Sequence, residues 1–141
     1  MSYESLADVW LFSGMEKEQL QQLAAFTFTK TFKAGDVIAE EGRTGNALYV
    51  ILTGQVEVLK GYRTETPLRL AALNPGEFFG EMALLEESPR SATVRATQET
   101  TCVGVDRWLF LAQLRKNPDM AISMLQAMAR RLRQMDAKLA H

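Results

Sequence analysis

The sequence predicts a mainly β fold with flanking α-helices, on three observations. Between Phe26 and Asp106, short apolar or alternating runs recur every eight to twelve residues, as strands do in a β-barrel or jelly roll. Glycines stand between those runs at Gly35, Gly42, Gly54 and Gly76, where tight turns favour a residue without a Cβ. At both ends of the chain the apolar residues fall at helical spacing instead. The chain reads as one domain, with N-terminal helices over 1–26, strands over 27–105 and C-terminal helices over 106–141.

Leu6 to Phe12 and Glu16 to Ala24 form two short helices around a Ser13-Gly14 break, and Leu20, Leu23 and Ala24 share a core-facing side. Phe28, Lys30 and Phe32 mark a first strand by their period of two, and Ala34-Gly35-Asp36 turns the chain. Val37 and Ile38 begin a second strand, followed by the loop Glu41 to Asn46. Leu48 to Leu52 is a continuous apolar run, expected of a strand buried on both faces. Thr53-Gly54 turns it into Gln55 to Lys60, where apolar and polar residues alternate, making a hairpin. Gly61 to Pro67 is a polar loop, Leu68 to Leu73 a strand, and Asn74-Pro75-Gly76-Glu77 a turn. Strands at Ser91 to Ala96 and Thr101 to Val105 close the region.

Beyond Asp106, Trp108, Leu109, Leu111, Ala112 and Leu114 line a helix ending near Asn117-Pro118, and Pro118 suits the first turn of a final helix. There Ala121, Leu125, Met128, Leu132, Met135 and Leu139 are spaced 4, 3, 4, 3 and 4, a short heptad seam. Two arrangements satisfy it. The seam lies on the chain's own barrel, or it meets a second copy in a parallel dimer through 118–139.

Composition narrows the function. With 141 residues the chain can bury about two-thirds of its unfolded surface. No apolar run approaches the ~18–20 residues that cross a bilayer, and Met1 to Asp8 lacks the basic start and apolar centre of a secretion signal. No membrane partner is expected. Cys102 is the single cysteine, which excludes an internal disulfide, fits a reducing cytoplasm, and reads as a small core residue in an apolar strand. Residues 1–100 hold 9 Lys/Arg against 14 Asp/Glu, net −5, and residues 101–141 hold 7 against 3, net +4. Arg130, Arg131 and Arg133 fit a solvated helix face or a partner's counter-ions better than a nucleic-acid patch, because the net charge is only −1. The one histidine, His141, is the last residue and is expected to be disordered, so His-based metal centres and Ser-His-Asp or Cys-His catalysis lack their key group. No enzymatic activity, metal or cofactor is expected.

Residues 76–95, GEFFGEMALLEESPRSATVR, carry most of the functional signal. Helical residues after Gly80 aim backbone N–H groups at one point, which suits an anion. Arg90 can fork onto two phosphate oxygens. Glu81, when ionised, only accepts hydrogen bonds and so suits sugar hydroxyls rather than phosphate. Phosphate and ribose together mean a nucleotide. The plain alternative is a surface ion pair of Arg90 with Glu86 or Glu87, worth ~0–1 kcal/mol.

Phe79-Gly80-Glu81-Met82-Ala83-Leu84 through Pro89-Arg90-Ser91-Ala92-Thr93-Val94 resembles the phosphate-binding cassette (79–94) of cyclic nucleotide-binding domains, found in catabolite activators, cyclic-nucleotide-gated channels and regulatory subunits of cAMP-dependent kinase. The resemblance extends over nearly the whole chain. It implies an eight-stranded β-roll with a short phosphate-binding helix. It also implies Gly80, Glu81, Met82, Ala83, Arg90, Ser91 and Ala92 as ligand-binding residues. In that pattern Glu81 meets the ribose 2′-hydroxyl, Arg90 the cyclic phosphate, and N–H groups near Ala83, Ser91 and Ala92 complete the cradle.

The expected function is a regulatory sensor whose C-terminal helices respond to the ligand, cAMP in preference to cGMP. The alternatives are the effector domain of an activator-like transcription regulator lacking its DNA-binding part, and a domain for cGMP or another small anion. The stretch Met128 to Leu132 resembles the activators' dimer helix, but the sequence has no recognition helix after it, so no DNA contact by this chain is expected. Activators carry a Thr-Ser pair after that basic stretch, and this chain reads Gln134-Met135-Asp136. Met128, Arg131 and Met135 are therefore the candidates to cover the base. The effector is left open.

Overall fold

The computed structural model describes residues 3–139, so His141 and the side chain of Leu139 lie outside the described residues. At the N-terminus, α1 (Glu4–Ala7) is followed by a 3-10 turn at Trp10–Phe12 and then α2 (Lys17–Ala24). The expected helix over 6–12 is broken at Val9, whose backbone is extended at φ −74° and ψ 121°. The reason is packing. Leu6, Val9, Leu11 and Phe12 are all buried, and no one face of an α-helix presents those four positions together. The second helix buries Leu20, Leu23 and Ala24 as expected.

Eight strands follow: β1 (Thr27–Phe32), β2 (Val37–Ala39), β3 (Ala47–Thr53), β4 (Val56–Lys60), β5 (Leu68–Leu73), β6 (Phe78–Phe79), β7 (Thr93–Ala96) and β8 (Thr100–Asp106). They form two four-stranded antiparallel sheets, ordered β1-β8-β3-β6 and β2-β7-β4-β5, the mainly β roll that the sequence predicts. Strand β6 is the one that sequence pattern does not reveal, since two residues are too few to show a period. It pairs Phe79 with Tyr49 and Phe78 with Val50, and so delivers Gly80 to the edge of β3. Two strands start slightly apart from the expected residues, with β7 beginning at Thr93 rather than Ser91 and β8 at Thr100 rather than Thr101. Tyr49 and Leu52 remain half-buried, so β3 is not wholly covered. In β4 a register shift between Val58 and Leu59 interrupts the alternation.

Alternating strand faces feed two cores. Val103 and Val105 of β8, with Leu48 and Val50 of β3, face the helices and meet Leu6, Phe12, Leu23, Phe110 and Met120. Cys102 and Ile51 point the other way, between the sheets, where they join Phe32, Val56, Phe79 and Val94. Each fully buried Leu, Val or Phe contributes roughly 1.5–3 kcal/mol.

Helix α3 (Arg107–Lys116) is capped by Asp106, which accepts the Leu109 N–H at 3.1 Å. Its buried face is Arg107, Phe110 and Gln113, whereas Trp108 and Leu109 are exposed, which corrects the apolar face expected there. Phe110 sets that rotation by packing on Phe12 with ring centroids 5.7 Å apart. Helix α4 (Pro118–Leu139) packs on the body through Met120, Met124 and Ala127. Those positions lie on a different side of the helix from the heptad seam. Leu125, Leu132 and Met135 of the seam are exposed, at 63%, 60% and 52%. The first of the two arrangements expected for the seam is met only in part: Met128 packs on the helical core, while the helix otherwise docks through Met120, Met124 and Ala127.

Burial pushes the Cys102 thiol up to about 11, so it stays protonated and unreactive at neutral pH. A thiol-specific reagent should leave Cys102 unmodified in native protein and label it on denaturation. Rapid labelling of native protein would show that the space between the sheets is open.

Candidate functional site

The site is built around Gly80. Its backbone is left-handed, φ 85° and ψ 19°, a conformation favourable to glycine. A Cβ there would collide with the Arg90 guanidinium and lie 2.8 Å from the Ala47 carbonyl oxygen. The chain then enters a 3-10 turn, Glu81–Leu84, that buries Ala83 and Leu84. Within this turn the Ala83 N–H donates to the Gly80 carbonyl at 3.0 Å. One of the donors expected for an anion is thus already engaged.

Arg90 is fixed from two directions. Its main-chain N–H donates to the Arg43 carbonyl and its own carbonyl accepts from the Gly42 N–H, each at 2.8 Å. Its side chain runs past Gly45, where any Cβ would collide with it, and Nη2 donates to the Ala47 carbonyl at 2.8 Å. Burial lowers the guanidinium pKa, an effect opposed by Tyr49 and Glu81. An arginine nevertheless keeps its charge across the physiological range. Among the described residues Arg90 forms no ion pair with Glu86 or Glu87, so the surface-pair alternative is not what the structure contains.

Gly80, Glu81, Met82, Ala83, Arg90, Ser91 and Ala92 all line one cavity of about 430 Å³. That volume lies in the range of small-molecule sites. The apolar wall comes from both sheets, with Ala39, Val58 and Val94 from one and Phe79 from the other. Tyr49 stacks on Phe79 with centroids 5.5 Å apart, stiffening that wall. At the rim, Lys60 Nζ donates to the Ser91 carbonyl at 2.7 Å and pairs with Glu41 at 3.3 Å. The cavity therefore offers a cation and a carboxylate on one side and aliphatic surface on the other.

Sequence reasoning missed Ala39, Val58 and Val94 as cavity residues. Val58 was signalled by the alternation of Gln55 to Lys60, while the short strand β2 gave Ala39 no comparable signal. The three residues expected to cover a base do not line this cavity. Met128 packs against the helical core, Met135 is exposed, and Arg131 lies over the Trp10 ring, 5.3 Å from its centroid. Among the described residues there is no cluster of three or more His, Cys, Asp or Glu that could hold a metal, and no helix is long and apolar enough to cross a membrane.

The profile of the cyclic nucleotide-binding domain family matches residues 29–117. The chain is 34% identical over 129 residues to the cyclic AMP receptor protein of Thermus thermophilus, covering 92% of this chain and 60% of that protein. It is 36% identical over 104 residues to a cGMP-dependent protein kinase of Toxoplasma gondii, covering 74% of this chain and 10% of the kinase. Among solved structures, the N-terminal domain of a transcriptional regulator from Streptomyces coelicolor superposes with a TM-score of 0.87 at 30% identity, covering 96% of this chain and 94% of that one. The chain spans about three-fifths of the length of the first of these curated relatives. Fold, cassette and family profile agree on the same region, and the chain belongs to the cyclic nucleotide-binding domain family.

Proposed function

We propose that the chain is a regulatory module that binds cAMP in the cassette cavity and changes the placement of its C-terminal helices when it does. The observation that carries this reading is the convergence of Arg90, Glu81 and an apolar two-sheet wall on one cavity. A cyclic phosphate is a compact anion, and Arg90 can offer it a forked pair of N–H donors. The Glu81 carboxylate is suited to the 2′-hydroxyl and repels the phosphate, which fixes the ligand's orientation. Main-chain N–H groups of Ser91 and Ala92 complete the anion's surroundings. A contribution from the Ala83 N–H would require the turn to open, because Gly80 holds it now.

The module acts by binding and not by catalysis. Its relatives bear names that refer to both cAMP and cGMP. The choice of cAMP rests on the stretch Pro89 to Val94, which resembles bacterial cAMP-binding channels, and on the 34% identity to the cyclic AMP receptor protein. Response in the helices has a route, since Arg107 at the start of α3 donates from Nη1 to the Ala83 carbonyl at 3.3 Å. Coverage of the base by Met128, Arg131 or Met135 would require α4 to move. A ligand drives such a change only through differential contacts with the two placements. The setting we infer is cytoplasmic. The transcription-regulator relative favours a second version of the same reading, an activator-like effector domain that regulates DNA binding elsewhere.

Calorimetry should give micromolar or tighter cAMP binding, about −8 kcal/mol or more favourable. Arg90→Ala should cost about 2–4 kcal/mol and Arg90→Lys should recover only part of the loss. Glu81→Gln should weaken cAMP more than its 2′-deoxy analogue. Equal affinity in wild type and Arg90→Ala would refute the phosphate role, and equal losses for both nucleotides would refute the ribose role.

The exposed seam of α4 supports a homodimer through 118–139. Light scattering over a concentration series should find a dimer in the wild type and a monomer in Leu125→Glu/Leu132→Glu. A wild type that stays monomeric throughout would remove the dimer from the account.

A further inference from the structure

The carboxylate assigned to the ribose does not stand alone. Glu81 lines the cassette cavity, and on its other side the Trp10 indole N–H donates to Glu81 Oε1 at 3.5 Å, the long end of a hydrogen bond. Trp10 itself does not line the cavity, so it reaches the carboxylate from outside the ligand's space. The ring face of the same indole is also engaged. Arg131 of α4 places its guanidinium carbon 5.3 Å from the Trp10 ring centroid, and the neighbouring Arg130 donates from Nη2 to Ser13 Oγ at 3.4 Å. Trp10, Ser13, Arg130 and Arg131 line a smaller, open cavity at this junction.

We propose that Trp10 is a positioning residue for Glu81 and the point at which α4 is coupled to the ligand site. The inference rests on the ribose role given to Glu81 above. An ionised carboxylate has about four lone-pair sites. The indole N–H occupies one of them and restricts rotation of the group, leaving the others for a ribose hydroxyl. A cation against an indole face is attracted by the ring quadrupole, and that contact ties Arg131 to the same ring. Any movement of Trp10 on ligand binding therefore changes the hold on α4. By linkage, the placement of α4 must alter affinity at Glu81 by the same factor.

Two measurements separate this role from a merely structural one. Trp10→Phe keeps a ring for Arg131 but removes the N–H donor. It should weaken cAMP binding roughly three- to tenfold, leave the 2′-deoxy analogue unchanged, and cause no further loss in a Glu81→Ala background. Equal weakening of both nucleotides, or an undiminished effect in Glu81→Ala, overturns the positioning role. The second measurement needs no nucleotide. In 15N-labelled ligand-free protein, Trp108→Phe assigns the indole N–H resonances of the two tryptophans. The Trp10 resonance should then shift in Glu81→Ala and in Arg131→Gln, and stay in place in Glu86→Gln. A Trp10 resonance that ignores both variants overturns the coupling. If the wild type binds no cyclic nucleotide, the proposed function fails, while the resonances still decide whether Trp10 joins Glu81 to α4.

Discussion

Arg90 is a charged side chain that has lost more than half of its contact with water, and the surrounding structure is arranged around that fact. Desolvation disfavours the charged form, which is why burial is the largest influence on its pKa. The Ala47 carbonyl satisfies one N–H, and two glycines on separate segments, Gly45 and Gly80, leave the channel through which the side chain runs. Side chains at either glycine would close it. The short strand β6 exists in the right place to bring Gly80 beside β3, and the paired bonds of Arg90 to Gly42 and Arg43 hold the other half of the cassette against the loop before β3. In the function proposed here, a ligand anion would supply what the carbonyl alone does not, a full counter-charge.

The cassette also lies where the two cores meet. Phe79 belongs to the packing between the sheets, while Leu84, five residues later, belongs to the helical core. The 3-10 turn between them is therefore clamped at both ends. Protein interiors are close-packed, so a shift of this turn cannot be absorbed locally and must be passed to one core or the other. The helical side has the polar connections, through Arg107 to the Ala83 carbonyl and through Trp10 to Glu81. Helix α4 meets that side through methionines, flexible side chains that tolerate repacking.

Much of this architecture was legible in the chain. Apolar or alternating runs and intervening glycines marked seven of the eight strands. Glu81 and Arg90 stood out by their chemistry, and the resemblance to a phosphate-binding cassette implied Gly80, Met82, Ala83, Ser91 and Ala92, which the fold brings to the same cavity. What stayed hidden has physical causes. Strand β6 is too short to show a period. Val9 breaks a helix because four apolar residues must all face inward, a demand made by tertiary packing and not by propensity. In α3 the aliphatic stripe was the wrong guide, since Arg107 and Gln113 are buried beside Phe110 while Trp108 is exposed. The contact of Trp10 with Glu81 joins residues 71 positions apart, beyond the reach of any local pattern.

The central claim is that the cavity recognises a ringed phosphodiester attached to its own ribose. A thermal-shift comparison of cAMP, cGMP and 5′-AMP tests it most directly, because a ligand that binds only the folded state raises the melting temperature by mass action. The account predicts the largest rise with cAMP, a smaller one with cGMP and little or none with 5′-AMP, whose open phosphate carries a different charge and shape. Equal shifts with all three, or no shift with either cyclic nucleotide at millimolar concentration, would contradict it.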